Sequence, residues 1–321
     1  MEFLKNQEFK DIGKTGKDRK WKERKRANFE YAKRLEILGY KAFSSVMQCA
    51  EVLRFMQAPD GNLKLKQAWF CKSKLCPICN WRRSMKYGVQ LGQIIDVARE
   101  REPKAKFVFL TLTIKNVPGE ELGAELSRLS KAFKRLFDRA KVKKAVIGYL
   151  RALEVTYNDE RDDYHPHIHV LLMVKASYFS GDYYISQDEW TAMWQQSAKL
   201  DYKPIVDVRK VKPNPRKAKN EMDLRGAIVE TAKYPTKPIE KMGKTEKQKL
   251  KVTDDLMKAL KNKRQIGFGG LFKEIRKELQ LEDVENGDLV HIDDENEESS
   301  LGVEIVAQWN WERMTYVVVE C

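Results

Sequence analysis

His165-Pro166-His167-Ile168-His169-Val170-Leu171-Leu172-Met173-Val174 is the stretch from which the fold of this chain is read, and its first five positions hold three of the four histidines in the sequence. The run after the histidines is apolar, rich in β-formers and too short for a helix, so it reads as a strand. Alternate side chains of a strand share a face, which points His167 and His169 the same way and lets them close on one divalent cation. Just upstream, Arg151-Ala152-Leu153-Glu154-Val155-Thr156-Tyr157 is a second strand, separated by the polar turn Asn158-Asp159-Glu160-Arg161-Asp162-Asp163. A hairpin that pairs Tyr157 with Tyr164 sets Glu154 opposite His167. A slip of one residue would turn Glu154 to the other face. In the paired register Glu154 is the candidate third ligand. Two imidazoles and a carboxylate with positions left open suit Mn2+ or Mg2+ bound loosely enough to admit a phosphate oxygen.

The composition indicates what that phosphate belongs to. Lys and Arg number 61 against 47 Asp and Glu, a net charge of +14. Residues 1–45 hold 13 basic and 7 acidic side chains, including Arg19-Lys20-Trp21-Lys22-Glu23-Arg24-Lys25-Arg26, and residues 203–264 hold 19 basic against 8 acidic. Such blocks attract a polyanion through counterion release, and Trp21, Trp69, Trp81 and Tyr87 are aromatic rings on which unpaired bases can stack. Lys20, Arg24, Lys25, Arg26, Arg82 and Arg83 are the candidate DNA contacts. No segment approaches 18 consecutive apolar residues and the first residues are charged, so a soluble, cytoplasmic protein without a membrane partner is expected.

Four of the five cysteines are grouped, as Cys49 and Cys71-Lys-Ser-Lys-Leu-Cys76-Pro-Ile-Cys79. Cys76-x-x-Cys79 is the spacing at which a tight turn presents two thiolates to one ion, and tetrahedral Zn2+ prefers thiolates. A structural Zn2+ held by Cys49, Cys71, Cys76 and Cys79 is therefore expected.

The remaining pattern predicts helices at 22–38, 82–100, 120–142, 187–199, 221–233, 246–263 and 271–280. Strands are predicted at 46–57, 63–70, 107–115, 204–211 and within 303–319. Residues 282–298 contain nine acids and no Lys or Arg, which reads as a solvated acidic linker. The class is α+β, an antiparallel sheet carrying the metal site with helices packed on its faces. Three regions follow: a basic N-terminal segment 1–45, a core domain 46–245 that includes the cysteine cluster 49–79, and a helical and acidic C-terminal extension 246–321.

A phosphoryl-transfer site needs a nucleophile. In Ala227-Ile-Val-Glu230-Thr-Ala-Lys233-Tyr234-Pro235-Thr-Lys237, Glu230 and Tyr234 are spaced to share one helix face, and Pro235 moves Tyr234 to the helix end. Chemistry alone does not select Tyr234 among twelve tyrosines.

A family resemblance does. Phe109-Leu-Thr-Leu-Thr-Ile-Lys-Asn116, His165-Pro-His-Ile-His-Val-Leu-Leu172 and Glu230-Thr-Ala-Lys-Tyr-Pro-Thr-Lys237 resemble, in order, the three motifs of rolling-circle replication initiators from plasmids of Gram-positive bacteria, members of the HUH endonucleases. The likeness extends to Trp69–Arg83, Gly269–Ile275 and Trp309–Arg313. It implies an HUH-type antiparallel sheet with a cysteine-rich, zinc-knuckle-like insertion. It also implies a metal on His167 and His169, with Glu154 our choice to complete the set, and Tyr234 as the nicking nucleophile. Glu230 pairs with that single tyrosine one helical turn earlier, and Lys233 or Lys237 would neutralise charge on phosphate or phenolate. His165 matches a position of variable role, supporting the site or contacting DNA. The implied partners are plasmid origin DNA, duplex and as a single-stranded hairpin, a host helicase and polymerase, and a second copy of the chain. A transposase or conjugative relaxase of the same superfamily, and a non-enzymatic zinc-containing DNA-binding regulator, are the two competing classes.

Overall fold

A computed structural model describes residues 5–13, 16–181, 183–211, 239, 242–292 and 302–320. In chain order they form α1 (Trp21–Ile37), α2 (Phe43–Met47), β1 (Val52–Gln57), β2 (Leu63–Ala68), α3 (Pro77–Arg101), β3 (Lys106–Thr113), α4 (Gly119–Phe137), α5 (Ala140–Ala145), β4 (Val146–Asn158) and β5 (Asp163–Val174). There follow α6 (Gln187–Ala198), β6 (Val206–Lys210), α7 (Glu246–Ala259), β7 (Ile266–Gly270), α8 (Leu271–Glu278), β8 (Val303–Asn310) and β9 (Thr315–Glu320). The class is α+β with two antiparallel sheets.

The chain divides into two units, one built mainly from residues 1–86 and 283–321 and the other mainly from 87–282. This division does not coincide with the boundaries expected at residues 45 and 245. Composition set those boundaries, whereas strand pairing sets the observed ones. β8 pairs with β1, and β7 pairs with β4, so residues on both sides of position 282 are sheet strands rather than an appendage.

In the first unit the sheet order is β2-β1-β8-β9. Leu53 and Phe55 of β1 face inward, level with Ala307 and Ile305 of β8, and α1 lays Trp21 edge-on against Phe55 at 6.1 Å between ring centres. The buried stripe of α1 is Trp21, Lys25, Asn28, Ala32 and Leu35, the four-three spacing of one helix face. Residues 43–47 are helical where a strand was predicted from 46. Asn28 donates to the Val46 carbonyl and Lys25 to those of Met47 and Cys49, so α1 side chains satisfy the carbonyls that end this helix. α3 starts at Pro77, earlier than the predicted residue 82, because proline fits the first helical position, where its missing N–H is not needed.

In the second unit the order is β6-β3-β5-β4-β7, which puts the histidine strand at the centre. Val108, Leu110, Leu112, Ile168, Val170 and Leu172 alternate onto one buried face. The expected helix 120–142 is broken in two. Arg139 takes an extended backbone and reaches Ser197 Oγ and Gln196 Oε1, which ends α4 and redirects the chain toward β4. α6 begins at a Ser186–Glu189 capping box, matching the predicted start at 187. At the end of β7, Gly270 has φ 54 and lies against the Ile147 carbonyl where a Cβ would collide, so no other residue fits.

Candidate metal centres and DNA-contact residues

β4 and β5 pair without interruption from Gly148 to Asn158, and the register sets Tyr157 opposite Tyr164 and Glu154 opposite His167. The central strand also pairs with β3, placing Thr111 against His169 and Thr113 against His167. This brings Glu154, His167 and His169 onto one face. Glu154 Oε2 lies 3.3 Å from His167 Nε2 and 3.0 Å from His169 Nε2, and the three donors fall within 4.8 Å of one another.

Each imidazole is oriented through its other nitrogen. His167 Nδ1 lies 3.1 Å from the His165 carbonyl oxygen, and His169 Nδ1 lies 3.2 Å from Thr111 Oγ1. Phe109 stacks on His169 at 5.3 Å and 18°, fixing the ring plane. A carbonyl oxygen only accepts, so Nδ1 of His167 carries its proton, and in the neutral ring Nε2 turns a lone pair toward the buried Glu154 carboxylate. Facing lone pairs are what a cation between them resolves, so this donor set fits a divalent ion. His165 lies outside the trio. It stacks on His167 at 5.1 Å, and burial, then the neighbouring His167, hold its pKa below the usual imidazole value.

Tyr164, a tyrosine close to the metal donors in sequence, is fully buried, and its phenol donates to Asp255 Oδ2 at 2.7 Å. Burial and then that carboxylate raise its pKa, which disfavours the phenolate needed for attack. Tyr234, Glu230, Lys233 and Lys237 lie outside the described residues.

The four cysteines converge in the first unit. Cys49 follows α2, Cys71 follows β2, and Cys76 and Cys79 bracket the start of α3. Their Sγ atoms lie 3.5 Å (Cys49 to Cys79), 3.6 Å (Cys71 to Cys79) and 3.7 Å (Cys49 to Cys76) apart, and all four are free thiols. Four thiolates about 2.3 Å from one Zn2+ in a tetrahedron would have edges of roughly 3.8 Å, so the cluster fits that ion. Burial pushes the Cys49 and Cys76 thiols well up, so forming thiolates there needs a compensating positive charge. Lys25 supplies part of it. Its ammonium is fully buried and bonded at 2.7 Å to both the Met47 and Cys49 carbonyls.

The six basic residues expected to touch DNA separate into two groups. Lys25, Arg82 and Arg83 are buried. Arg82 donates to the carbonyls of Leu289 and Val290, and Arg83 to those of Lys72, Ser73 and Glu285. These three side chains bind carbonyls of their own chain. Lys20 and Arg26 are exposed, and Arg24 is half-buried with its guanidinium 4.2 Å above the Trp81 ring. Of the four aromatics, Trp21 and Tyr87 are buried, Trp81 is half-buried and packs edge-on against Trp21, and Trp69 is exposed. The start of the acidic segment is likewise structured. Lys86 and Gln90 hold the carbonyls of Asp288 and Glu282, and Val284 and Leu289 are buried.

Among the described residues no helix is long and apolar enough to cross a membrane. Comparison with known proteins adds the following. A family described as replication protein matches residues 62–317. The chain is 54% identical to "Protein rep" of Streptococcus pneumoniae serotype 2 over 99% of this chain and 98% of that one. It is 47% identical to "Protein rep" of Lactiplantibacillus plantarum, covering 97% and 98% respectively. It is 42% identical to a "Replication protein" of Staphylococcus aureus over 74% of this chain and all of that one. No solved structure matches.

Proposed function

This chain belongs to the replication protein family, and from that membership we propose that it initiates rolling-circle replication of a plasmid by nicking one strand of the origin and joining itself to the cut end. The observation that carries the reading is the convergence of Glu154, His167 and His169 on the central hairpin. Mn2+ or Mg2+ held there would polarise a non-bridging oxygen of the scissile phosphate. Tyr234 Oη attacks phosphorus in line, the P–O3′ bond breaks, and the products are a 5′-phosphotyrosine and a free 3′-OH that primes synthesis. One phosphodiester replaces another, so no nucleotide is hydrolysed. Lys233 and Lys237 offset charge developing on phosphate or phenolate. At termination Glu230, four residues before Tyr234 in the sequence, takes a proton from water, so that the cycle ends by hydrolysis.

The remaining assignments follow the same reading. Zn2+ on Cys49, Cys71, Cys76 and Cys79 stabilises the first unit, and Lys20, Arg24 and Arg26 contact the DNA backbone. The partners are origin DNA as duplex and as extruded single-stranded hairpin, a host helicase and polymerase, and a second copy of the chain.

The test is incubation of the full chain with a labelled single-stranded origin oligonucleotide and Mn2+. A covalent adduct is expected, lost in Tyr234→Phe and in His167→Ala, and retained in Glu230→Ala, which should fail at release after one round. A Tyr234→Phe protein that forms the adduct in normal yield would overturn the assignment of the nucleophile, and no adduct from the parent would overturn the activity.

A further inference from the structure

The face of the second sheet that carries the metal donors continues toward its β6 edge. Thr111 pairs with His169, Asp207 pairs with Thr111, and Arg209 pairs with Phe109. Directly paired residues share a face and successive ones alternate, so Phe109, Thr111, Asp207 and Arg209 all stand on the side of Glu154, His167 and His169. Solvent access rises along this line. The Glu154 side chain is 2% exposed, His169 13%, Asp207 36% and Arg209 75%. The open surface therefore runs across the strands, from the donors to the sheet edge. Two strand spacings separate β5 from β6, about 10 Å, and the long arginine side chain covers much of that span.

We propose that Arg209 binds the phosphate next to the scissile one in single-stranded DNA, and that Asp207 holds the guanidinium as a counter-ion until the DNA displaces it. The inference rests on the nicking function proposed above. Arg209 Nε lies 2.8 Å from Asp207 Oδ2 and 3.0 Å from Oδ1. An exposed ion pair of this kind contributes little in water, whereas the guanidinium fork matches the two free oxygens of a phosphate. Phe109 stands on the same face, paired with Arg209 and stacked on His169. It is half-exposed, which makes it an apolar floor for a sugar or base.

Fluorescence anisotropy with a labelled single-stranded origin oligonucleotide, titrated at several salt concentrations, tests this. Arg209→Gln should raise Kd about fivefold to tenfold and shorten the log–log salt slope by roughly 0.7, the value of one phosphate contact on a single strand. Asp207→Asn should act in the opposite direction and tighten binding about twofold, since the guanidinium is released from its partner. Oligonucleotides cut back to the nick site on one side or the other should locate the contact, the Arg209→Gln effect vanishing with one and persisting with the other. Calorimetric Mn2+ binding equal to the parent's in both variants shows an intact sheet. Parental Kd and slope in Arg209→Gln, or weakening in Asp207→Asn, would overturn the proposal. Failure of the parent to form an adduct would instead count against nicking, and the binding measurements would still decide the role of Arg209.

Discussion

His167 and His169 are aimed at Glu154 by two different devices, one a backbone carbonyl and the other the Thr111 hydroxyl. Only the second can be removed by substitution. Thr111→Val deletes the hydroxyl at constant shape, and Mn2+ affinity measured by calorimetry should fall by about tenfold, with Thr111→Ser restoring it. Equal affinity in all three proteins would mean that stacking on Phe109 suffices to hold the ring. Lys25 carries a second residue-scale prediction. Its two charged hydrogen bonds are buried, so Lys25→Met should lower unfolding free energy by about 3 kcal/mol and speed zinc loss to a chelator. Parental stability with weakened DNA binding would return Lys25 to the DNA surface. The position was legible in part. Trp21, Lys25, Asn28, Ala32 and Leu35 follow one helical stripe in the sequence, but counting charge over residues 1–45 discards the periodicity that shows which side of the helix a lysine occupies.

At the scale of elements, the β4–β5 hairpin was legible because alternation along one strand and a polar turn leave few registers, and only one keeps Glu154 beside His167. What anchors the hairpin was not. Tyr164 sits beside the histidine run, its phenol donates to Asp255 on α7, and Lys251 bridges Asp255 and Asp162 at 3.0 and 3.3 Å. Residues 91 positions apart in the chain meet there, and no local pattern encodes such a contact. Tyr164→Phe leaves the Asp255 carboxylate short of a donor, so a loss of about 1–2 kcal/mol in urea unfolding is expected, with the adduct to the oligonucleotide still formed. An adduct abolished in this variant, with stability unchanged, would make Tyr164 rather than Tyr234 the nucleophile. Tyr234, outside the described residues, could be reached only through resemblance, since no spacing distinguishes one Tyr from eleven others.

For the whole molecule the least legible feature is the return of the chain end. Val303–Val319 reads as strand from its own β-branched and aromatic residues, yet nothing in it names β1, some 250 positions earlier, as its partner. The four-stranded sheet is therefore complete only when the last strands arrive, and residues 285–290 supply the carbonyls that Arg82 and Lys86 hold and one of the three that Arg83 holds. A chain ending at Glu282 would lose β8 and β9, leave one edge of β1 without a partner, and strand three buried cations without those carbonyl acceptors. The first unit of that truncated chain should fail to fold and should lose its zinc, because Cys49 is placed by the chain leading into β1. The five described strands of the second unit all lie within residues 106–270. Limited proteolysis should then leave a resistant fragment of about 190–200 residues, a size typical of one domain. Its Mn2+ affinity should match that of the intact chain, since Glu154, His167, His169 and Thr111 are all retained. Cleavage throughout, with no stable fragment, would show that the metal-bearing sheet depends on the first unit for its own stability, and zinc retained at one equivalent would show that the cysteine cluster folds without the strands that close its sheet.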